Sequence, residues 1–367
     1  MGNGKLNHMD KNLNRGRGAQ SNPDNKFASN TYKTEDAYKN HCHMEEEPVE
    51  SNATTFIQVH PKTVLSKNTS KDLSFDYSIN PYQGCEHGCV YCYARNSHQY
   101  WGYGPGKDFE TKILYKSDAA ELLTKAFKSK SWKPQVVLLS GNTDCYQPLE
   151  RKLGITRELL RVFLRYRNPV SIITKNSLVL RDLDLLKELN ELGLLRMTLS
   201  ITTLLEDTRR KMEPRTASVK QRLKTLEILT KNGILVNVNL APIIPGINSH
   251  EVFDLVKAVA QIGANSVTYI IVRLNGEVGA VFEEWVKLAF PERAEKVLML
   301  IKETHEGKLN ESKWGTRMTG SGSIADSIRN MVQIASRKYV KNKELPPLNT
   351  SMFVRNVKGQ MFLFEET

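Results

Sequence analysis

The sequence is short of cysteine, and its few cysteines are unevenly spread. Five occur among 367 residues, and three of them fall between positions 85 and 92. An odd number concentrated in one loop does not fit the paired framework of a secreted, disulfide-stabilised domain. We therefore expect reduced thiols and a reducing compartment.

Long apolar runs are also absent from the sequence. No stretch approaches the roughly 20 apolar residues of a membrane-spanning helix, and Met1-Gly-Asn-Gly-Lys5 lacks the apolar core of a secretion signal. Hydrophobic residues make up 40% of the chain and charged residues 25%, as in soluble globular proteins. We expect a cytoplasmic protein with no membrane partner.

Aliphatic side chains are scarce in residues 1–50, so this polar segment is expected to be mostly disordered and mobile. Arg15 and Arg17 alternate with glycine and could wrap a phosphate, although a flexible basic tail would look the same. Residues 41–43 read His-Cys-His and could grip a metal. Because no fourth ligand is nearby, we interpret them as a solvated segment.

Positive charge exceeds negative charge in this chain, with a formal net charge of +12. Such a balance favours polyanions such as nucleic acid or an acidic protein as partners. Charge scattered over exposed helices would give the same total. The length allows one large α/β domain with extensions or two smaller domains.

From residue 74 onward, short apolar or β-branched runs alternate with amphipathic helical stretches. Six runs are typical of strands buried in a parallel sheet, namely residues 74–79, 136–140, 170–174, 196–202, 234–244 and 266–273. Helix signals lie between them. The starts are Asp118 with Glu121, Ser218 with Gln221 and Asn248 with Glu251, and the stops are Gly193, Gly233 and Gly263.

This alternation predicts an α/β fold with an open, partial (β/α)6 barrel over residues 51–280, with a doubly wound open sheet as the alternative. Either arrangement collects ligands at the carboxyl ends of the strands. After residue 280 the pattern predicts helices over 281–290, 292–306 and 324–339 and short strands within 348–364. We expect this C-terminal extension, residues 281–367, to close the barrel.

The most specific motif is Asn80-Pro-Tyr-Gln-Gly-Cys-Glu-His-Gly-Cys-Val-Tyr-Cys-Tyr-Ala-Arg95, in which Cys85, Cys89 and Cys92 have the spacing C-x3-C-x2-C. A structural zinc site and an electron-transfer cluster each use four protein ligands, so three cysteines indicate an iron–sulfur cluster with one open iron. Zinc with His87 as the fourth ligand, and unligated thiols, are the alternatives. The two other cysteines cannot complete a second four-thiolate cluster.

This motif, with an aromatic residue before its last cysteine, resembles that of radical S-adenosylmethionine (SAM) enzymes. Residues 80–95 more narrowly resemble the branch related to spore photoproduct lyase, as do the Gly-Arg-Gly…Asn-Pro…Phe element of residues 16–27 and Trp314-Gly-Thr-Arg-Met-Thr-Gly320. The resemblance implies a radical SAM barrel, a [4Fe–4S] cluster held by the three cysteines, SAM, and an electron donor of the flavodoxin or ferredoxin kind.

The resemblance also implies SAM contacts at the strand ends. After the second strand, Thr143 and Asp144 stand where most superfamily members have a Gly-Gly-Glu that accepts from the SAM amino group. The alternative is that Asp144 caps the next helix. After the third strand, Lys175 is placed to pair with the SAM carboxylate.

Further SAM contacts are expected from the fourth and fifth strands. Ser200 or Thr202 can hydrogen-bond a ribose hydroxyl, and Arg215 can reach a carboxylate in a bidentate manner. The irregular backbone around Ile244 suits recognition of adenine, with Tyr91 as the stacking or edge partner of the same ring.

The catalytic residues are the least defined part of the site. Spore photoproduct lyase carries an essential Cys that returns hydrogen to the product. Cys145 lies on the other side of the acidic SAM contact and is not its equivalent. Cys145 and Tyr146 are weak catalytic candidates, and a buried core thiol is the other interpretation of Cys145. Glu150, Arg273 and Glu277 are candidates for the wall that faces the substrate.

These features lead to one hypothesis about the reaction. The reduced cluster passes one electron to SAM, and the resulting 5′-deoxyadenosyl radical abstracts hydrogen from a substrate. Nucleic acid is one substrate class that the charge permits, in a reaction like that of the DNA repair lyase. The alternative is a non-catalytic iron–sulfur protein that binds nucleic acid or senses redox state.

Overall fold

The computed structural model describes residues 16–27, 53–70, 72, 75–340 and 345–355. The His-Cys-His of residues 41–43 lies outside the described residues. The strands are β1 (Thr55–Gln58), β2 (Leu65–Lys67), β3 (Tyr77–Ile79), β4 (Tyr82–Gln83), β5 (Lys112–Tyr115), β6 (Val137–Leu139), β7 (Val170–Thr174), β8 (Leu195–Ser200), β9 (Val236–Ile243) and β10 (Ser266–Ile271).

Helices follow most of the strands. They are α1 (Arg95–His98), α2 (Lys107–Thr111), α3 (Ala119–Lys128), α4 (Glu150–Leu153), α5 (Ile155–Tyr166), α6 (Leu183–Glu191), α7 (Glu206–Met212), α8 (Val219–Lys231), α9 (Val252–Ile262), α10 (Val278–Ala289), α11 (Ala294–Glu303) and α12 (Gly322–Tyr339). Among the described residues, no helix combines the length and the apolar character needed to span a bilayer.

The main sheet has seven strands in the order β10–β9–β8–β7–β6–β3–β2. Within this sheet, six strands pair in parallel and in chain order: β3, β6, β7, β8, β9 and β10. A doubly wound sheet would need a reversal of strand order near its middle, and the parallel row has none. The predicted α/β fold with a partial (β/α)6 barrel is therefore confirmed, and the doubly wound alternative is wrong.

Two parts of the sheet structure were missed from the sequence. β2 pairs antiparallel with β3 at the edge of the main sheet. A separate three-stranded sheet has the order β1–β5–β4. These strands span only two to four residues, which is too short for the alternation of side chains to identify a strand.

The helix signals were mostly correct. Ser218 and Gln221 form a complete capping box at the start of α8, and the three predicted stop glycines each follow a helix. The Asn248 signal was wrong, because its side chain accepts from the Ile244 amide at 2.6 Å and donates to the Thr202 carbonyl at 2.7 Å. Asn248 therefore holds the β9 loop rather than capping α9.

The segment that precedes α12 lies across the gap between the two edges of the barrel. The Ile271 amide of β10 donates to the Met318 carbonyl at 2.9 Å. The adjacent Arg317 forms an ion pair with Asp72 and a hydrogen bond to Ser70, both in the loop after β2. These contacts join the β10 edge to the β2 edge and support the proposal that the C-terminal extension closes the barrel.

The described part of the chain end does not form the predicted strands. In residues 345–355 the backbone is irregular, and it is held by single contacts to the helices and loops beside it. Asn349 donates from its amide to the Gly193 carbonyl at 2.9 Å, and Val354 donates to the Tyr166 carbonyl at 3.0 Å. The strand prediction is therefore wrong here, because the apolar residues pack on α5 rather than on a neighbouring strand.

Candidate active site

The cysteine loop, residues 84–92, lies between β4 and α1 at the carboxyl end of β3. Cys85 donates from its amide to the Phe109 carbonyl at 2.8 Å, and the Cys92 amide donates to the Cys89 carbonyl at 3.3 Å. These two bonds tie the loop to α2 and fold its last residues into a turn. The loop also packs through Cys89, Val90 and Tyr91 against α10 and α11.

The three thiols of this loop are free and near one another. Burial is the largest cause that raises the pKa of the Cys85 thiol, and the charges of Asp144, Cys89 and Cys92 add to it. In the described part of the chain, no group of three His, Cys, Asp or Glu side chains is placed to hold a metal ion, and this includes the three cysteines of the loop. The loop carries all three cysteines, and their role as ligands of a cluster that keeps one iron open stays a prediction.

His87 belongs to the same loop, but both its ring nitrogens contact other protein groups. Its Nε2 lies 3.0 Å from Asn176 Nδ2 and its Nδ1 lies 3.5 Å from Asp144 Oδ2. Burial lowers the pKa of this imidazole more strongly than Asp144 raises it. His87 is therefore held as a structural residue, and the geometry gives no support to zinc with His87 as the fourth ligand.

A fully buried ion pair stabilises the cysteine loop. Arg95 donates to the Cys89 carbonyl from Nε at 3.0 Å and from Nη2 at 2.9 Å, and it pairs with Glu110 at 2.5 Å. The same carboxylate accepts from the amides of Gly18 at 3.0 Å and Ala19 at 2.7 Å. The N-terminal residues 16–27 are thus packed on the loop.

Arg17 does not wrap a solvent-facing phosphate. Its side chain is buried and donates to the Glu110 carbonyl at 2.7 Å and to Thr54 Oγ1 at 3.0 Å. Neither of the two interpretations of this element, the flexible tail and the phosphate loop, describes residues 16–27. They brace the cysteine loop instead.

Substituting Gly18 with alanine should weaken the packing of residues 16–27 on the cysteine loop. A Cβ at Gly18 would lie 1.8 Å from the Gly88 carbonyl oxygen, so one of the two backbones must move. We expect a loss of about 1–3 kcal/mol in the free energy of unfolding, together with poorer retention of iron, measured by denaturant titration and metal analysis. Gly16→Ala is the control, because a Cβ there meets nothing within 4 Å and costs only about 1 kcal/mol of backbone strain. Equal stability of G18A and the wild type would contradict the prediction.

Asp144 and Lys175 lie at the ends of two neighbouring strands, β6 and β7. Asp144 accepts from Thr174 Oγ1 at 2.8 Å, from the Tyr146 amide at 2.9 Å and from the Lys175 amide at 2.9 Å. Thr143 donates from its hydroxyl to the Tyr82 carbonyl at 2.6 Å. Asp144 thus joins the two strand ends, and its contact with the Tyr146 amide closes a turn. It does not cap the next helix, because α4 has Leu149 at its N-cap position and no side-chain cap bond.

A buried carboxylate that the sequence analysis overlooked organises the centre of the site. Glu213 has no exposed surface and accepts hydrogen bonds from Tyr91 and from Thr202, the latter at 3.0 Å. It forms an ion pair with Arg222, and the Lys175 ammonium lies 3.7 Å away. Tyr91 is therefore held through its hydroxyl, and Lys175 lies over its ring at 5.8 Å.

One feature of the sequence could have revealed the buried pair of Glu213 and Arg222. Arg222 occupies the same face of α8 as the buried Val219, Leu226 and Leu229, so a charged residue interrupts an apolar stripe. A buried arginine requires a partner, which Glu213 supplies.

The other predicted SAM contacts lie on the same strand-end face. Ser200 is buried at the end of β8, and its carbonyl accepts from Arg222 at 3.2 Å. Arg215 is more exposed, with Nη2 3.4 Å from Glu86 Oε1. The Ile244 amide already donates to Asn248, so this amide is engaged within its own loop. The SAM-binding roles of these residues stay predictions.

Comparison with known proteins identifies the family. The family model of the Radical SAM superfamily matches residues 79–259, from β3 into α9. An uncharacterized protein of Mycobacterium tuberculosis is 32% identical over 241 residues, which are 65% of this chain and 71% of that protein. The chain belongs to the radical SAM superfamily. Members of this superfamily use a [4Fe–4S] cluster and SAM, so the expected cofactors are confirmed at the level of the family.

This radical SAM protein is also similar to a phage enzyme and to a solved structure. The Radical SAM Nα-GlyT isomerase of Pseudomonas phage M6 is 24% identical over 230 residues, which are 62% of this chain and 46% of the isomerase. Spore photoproduct lyase, in a complex with a dinucleoside spore photoproduct, superposes with a TM-score of 0.59 over 79% of this chain and 81% of the lyase, at 18% identity. The structural likeness confirms the fold that the resemblance implied.

In this radical SAM protein the two weak catalytic candidates point into the protein core. Cys145 has no exposed surface and belongs to the main apolar core, where burial raises its thiol pKa. Tyr146 is equally buried and its hydroxyl donates to Asp182 at 3.1 Å. Glu150 accepts from the Tyr82 hydroxyl at 2.5 Å within the same buried network. This placement favours the interpretation of Cys145 as a core thiol.

Proposed function

We propose that the chain is a SAM-cleaving enzyme in which Cys85, Cys89 and Cys92 are the cluster ligands and the substrate is a nucleic acid. The observation that supports this most directly is that one loop at the end of β3 carries all three cysteines, with Cys89 and Cys92 close enough to Cys85 to raise the pKa of its thiol. When bound and reduced, the cluster supplies the electron that splits SAM into methionine and a 5′-deoxyadenosyl radical.

The residues around the cysteine loop supply charges that complement the methionine half of SAM. The Asp144 carboxylate can accept from the SAM amino group, because it retains acceptor capacity beyond its bonds to the β7 end. Lys175, at the rim of this pocket and 3.1 Å from the Ala241 carbonyl, can pair with the carboxylate. Ser200 and Arg215 lie further along the strand ends and suit the ribose and an anionic group.

Two observations support nucleic acid as the substrate class. The formal net charge of +12 favours a polyanion. Spore photoproduct lyase, whose fold this chain shares, is seen in complex with a dinucleoside spore photoproduct. The chemical change made to the substrate, and the lyase-like reaction class, are carried over from that likeness.

Anaerobic reconstitution with iron and sulfide, followed by dithionite and SAM, tests the proposal. We expect equimolar methionine and 5′-deoxyadenosine, detected by liquid chromatography. Protein that holds a full cluster but yields no 5′-deoxyadenosine would favour the non-catalytic iron–sulfur alternative. Protein that binds zinc in place of iron would contradict the cluster assignment itself.

A further inference from the structure

Several exposed aromatic side chains lie on the cysteine loop and around α1, which follows it. Tyr93 directly follows the cysteine loop and is 53% exposed, and Tyr100, just beyond α1, is 77% exposed. Phe27 of the N-terminal brace stacks on Tyr100 with ring centroids 4.8 Å apart. Tyr93 donates to the Gly141 carbonyl at 2.6 Å, so it bridges from the cysteine loop to the β6 end. Rings left in water at such density are typical of surfaces on which bases stack.

Cationic side chains accompany these rings. Lys26 lies 5.1 Å from the Phe27 ring centroid, and Arg317 lies 5.5 Å from that of Trp314, which is 48% exposed. Arg317 is already paired with Asp72. Positive charge beside aromatic rings is the arrangement that binds a nucleic-acid strand through its phosphates and its bases together.

Arg273, immediately after β10, is charged without a carboxylate partner among the described residues. Its Nε is buried and makes no hydrogen bond, and its Nη1 has only a 3.6 Å contact with the Met318 sulfur. The titratable groups near it are Arg317, Asp72 and the neutral hydroxyl of Tyr93, and Asp72 is already paired with Arg317. A half-buried guanidinium with unused donors is suited to a phosphate.

Unused acceptors lie next to this arginine. The Asn96 side chain donates to the Asn275 carbonyl at 2.7 Å, so α1 and the residues after β10 meet here. The Oδ1 atoms of both Asn96 and Asn275 are buried and receive no hydrogen bond from any described residue. Each such acceptor costs about 1–3 kcal/mol while it has no donor, so the junction between α1 and the residues after β10 is polar and not fully paired.

We propose that this face, formed by Tyr93, Tyr100 with Phe27, and Arg273, binds a single-stranded segment of nucleic acid, with Arg273 as the ligand of a backbone phosphate. The inference rests on the nucleic-acid substrate class proposed above, but not on SAM cleavage. A single strand fits better than a duplex, because the stacking of base pairs hides the ring faces that Tyr100 would contact.

Binding of fluorescein-labelled strands of about 12 nucleotides, within the usual length range of such sites, tests the inference with the full, cluster-loaded protein. Fluorescence anisotropy is recorded with oligo-dT, oligo-U, a matched duplex and an oligo-glutamate of equal charge. We expect both single strands to bind more tightly than the duplex or the peptide, and the difference between oligo-dT and oligo-U tells which nucleic acid is preferred. Equal binding of duplex or oligo-glutamate would overturn the inference.

Two variants assign the roles. Arg273→Gln should weaken single-strand binding about tenfold and lower the salt dependence by about 0.7, the value for one phosphate contact. Tyr100→Leu should weaken binding about five- to tenfold, the loss of one stacked base, and leave the salt dependence unchanged. Circular dichroism and iron content check that each variant is folded.

Matched controls lie elsewhere on the surface. Phe56 is an exposed ring on β1, and Arg329 is an exposed arginine on α12. If F56L and R329Q weaken binding as much as Y100L and R273Q, the proposed face is wrong. If the wild type cleaves SAM but binds no single strand, this inference fails while the radical chemistry stands. If the protein binds a single strand but does not cleave SAM, this inference stands and the proposed SAM-cleaving activity fails.

Discussion

Replacing Cys89 with serine is expected to abolish reductive cleavage of SAM. Cys89 is one of the three cysteines of the cysteine loop, and the histidine of that loop, His87, has both ring nitrogens in contact with other groups. Loss of an outer partner of a metal ligand already costs about 10–100-fold, so loss of a ligand should cost more than about 100-fold. Release of 5′-deoxyadenosine and iron content per chain measure the effect.

Cys145 provides the matched control for this experiment. It is a cysteine of the same chain, but it lies in the main apolar core. Cys145→Ala should keep the cluster and SAM cleavage, with a loss of about 1 kcal/mol in unfolding free energy from the vacated sulfur volume. Two results would count against this assignment: a C89S protein that still cleaves SAM, or a C145A protein that loses its iron.

The second large effect is expected from Glu213→Gln. Its carboxylate is fully buried and pairs with Arg222, which is itself buried. Breaking such a pair leaves an uncompensated charge and costs about 3–5 kcal/mol. The change should also release Tyr91 and Lys175 from their common partner, so SAM binding should weaken as well as folding. Urea unfolding and equilibrium SAM binding measure the two effects separately.

The pH dependence of the unfolding free energy gives a second test of how much the Glu213 carboxylate contributes to stability. Burial alone would raise the pKa of Glu213, but Arg222 and Lys175 lower it from 4.5 to about 2. Because the pKa of Glu213 is lower in the folded protein than in the unfolded chain, its ionisation stabilises the fold by about 3 kcal/mol at pH values above the unfolded-state pKa. This stabilisation is lost as the pH falls toward the folded-state pKa. The stability difference between the wild type and E213Q should therefore shrink as the pH is lowered from about 6 to about 3.

Glu227→Gln is the control for both measurements. Glu227 pairs with Lys224 and Lys231 on the exposed face of α8, and exposed pairs contribute little to stability. We expect E227Q to unfold like the wild type at neutral pH and to bind SAM equally well. A pH-independent gap between E213Q and the wild type would show that Glu213 acts through packing and not through its charge.

The short-range patterns of this sequence were reliable guides to its structure. Spacing alone brought Cys85, Cys89 and Cys92 into one loop, since residues three and four apart stay close in any compact turn. The capping box of Ser218 and Gln221 formed as expected for the same reason. The apolar strand runs also predicted the parallel sheet, because a strand covered on both faces needs apolar residues throughout.

Contacts between distant positions were not predictable in this way. Gly18 packs on Gly88, and Asn248 turned out to hold the β9 loop because the Thr202 carbonyl lies beside it. The segment around Arg317 connects the two barrel edges through Asp72. None of these contacts can be inferred from the spacing or the composition of the residues around it.

By itself the sequence determined the family, the placement of three cysteines in one loop and the order of the six main strands and the helices between them, because each depends on residue types within a few positions of one another. The tertiary structure alone decided that Glu213 and Arg222 form the buried centre of the site, that the N-terminal residues brace the cysteine loop, and that Arg273 lacks a carboxylate partner among the described residues. Those facts depend on which side chains meet across the barrel. For Glu213 and Arg222, full burial makes either charge costly without the other, which is why the two are paired.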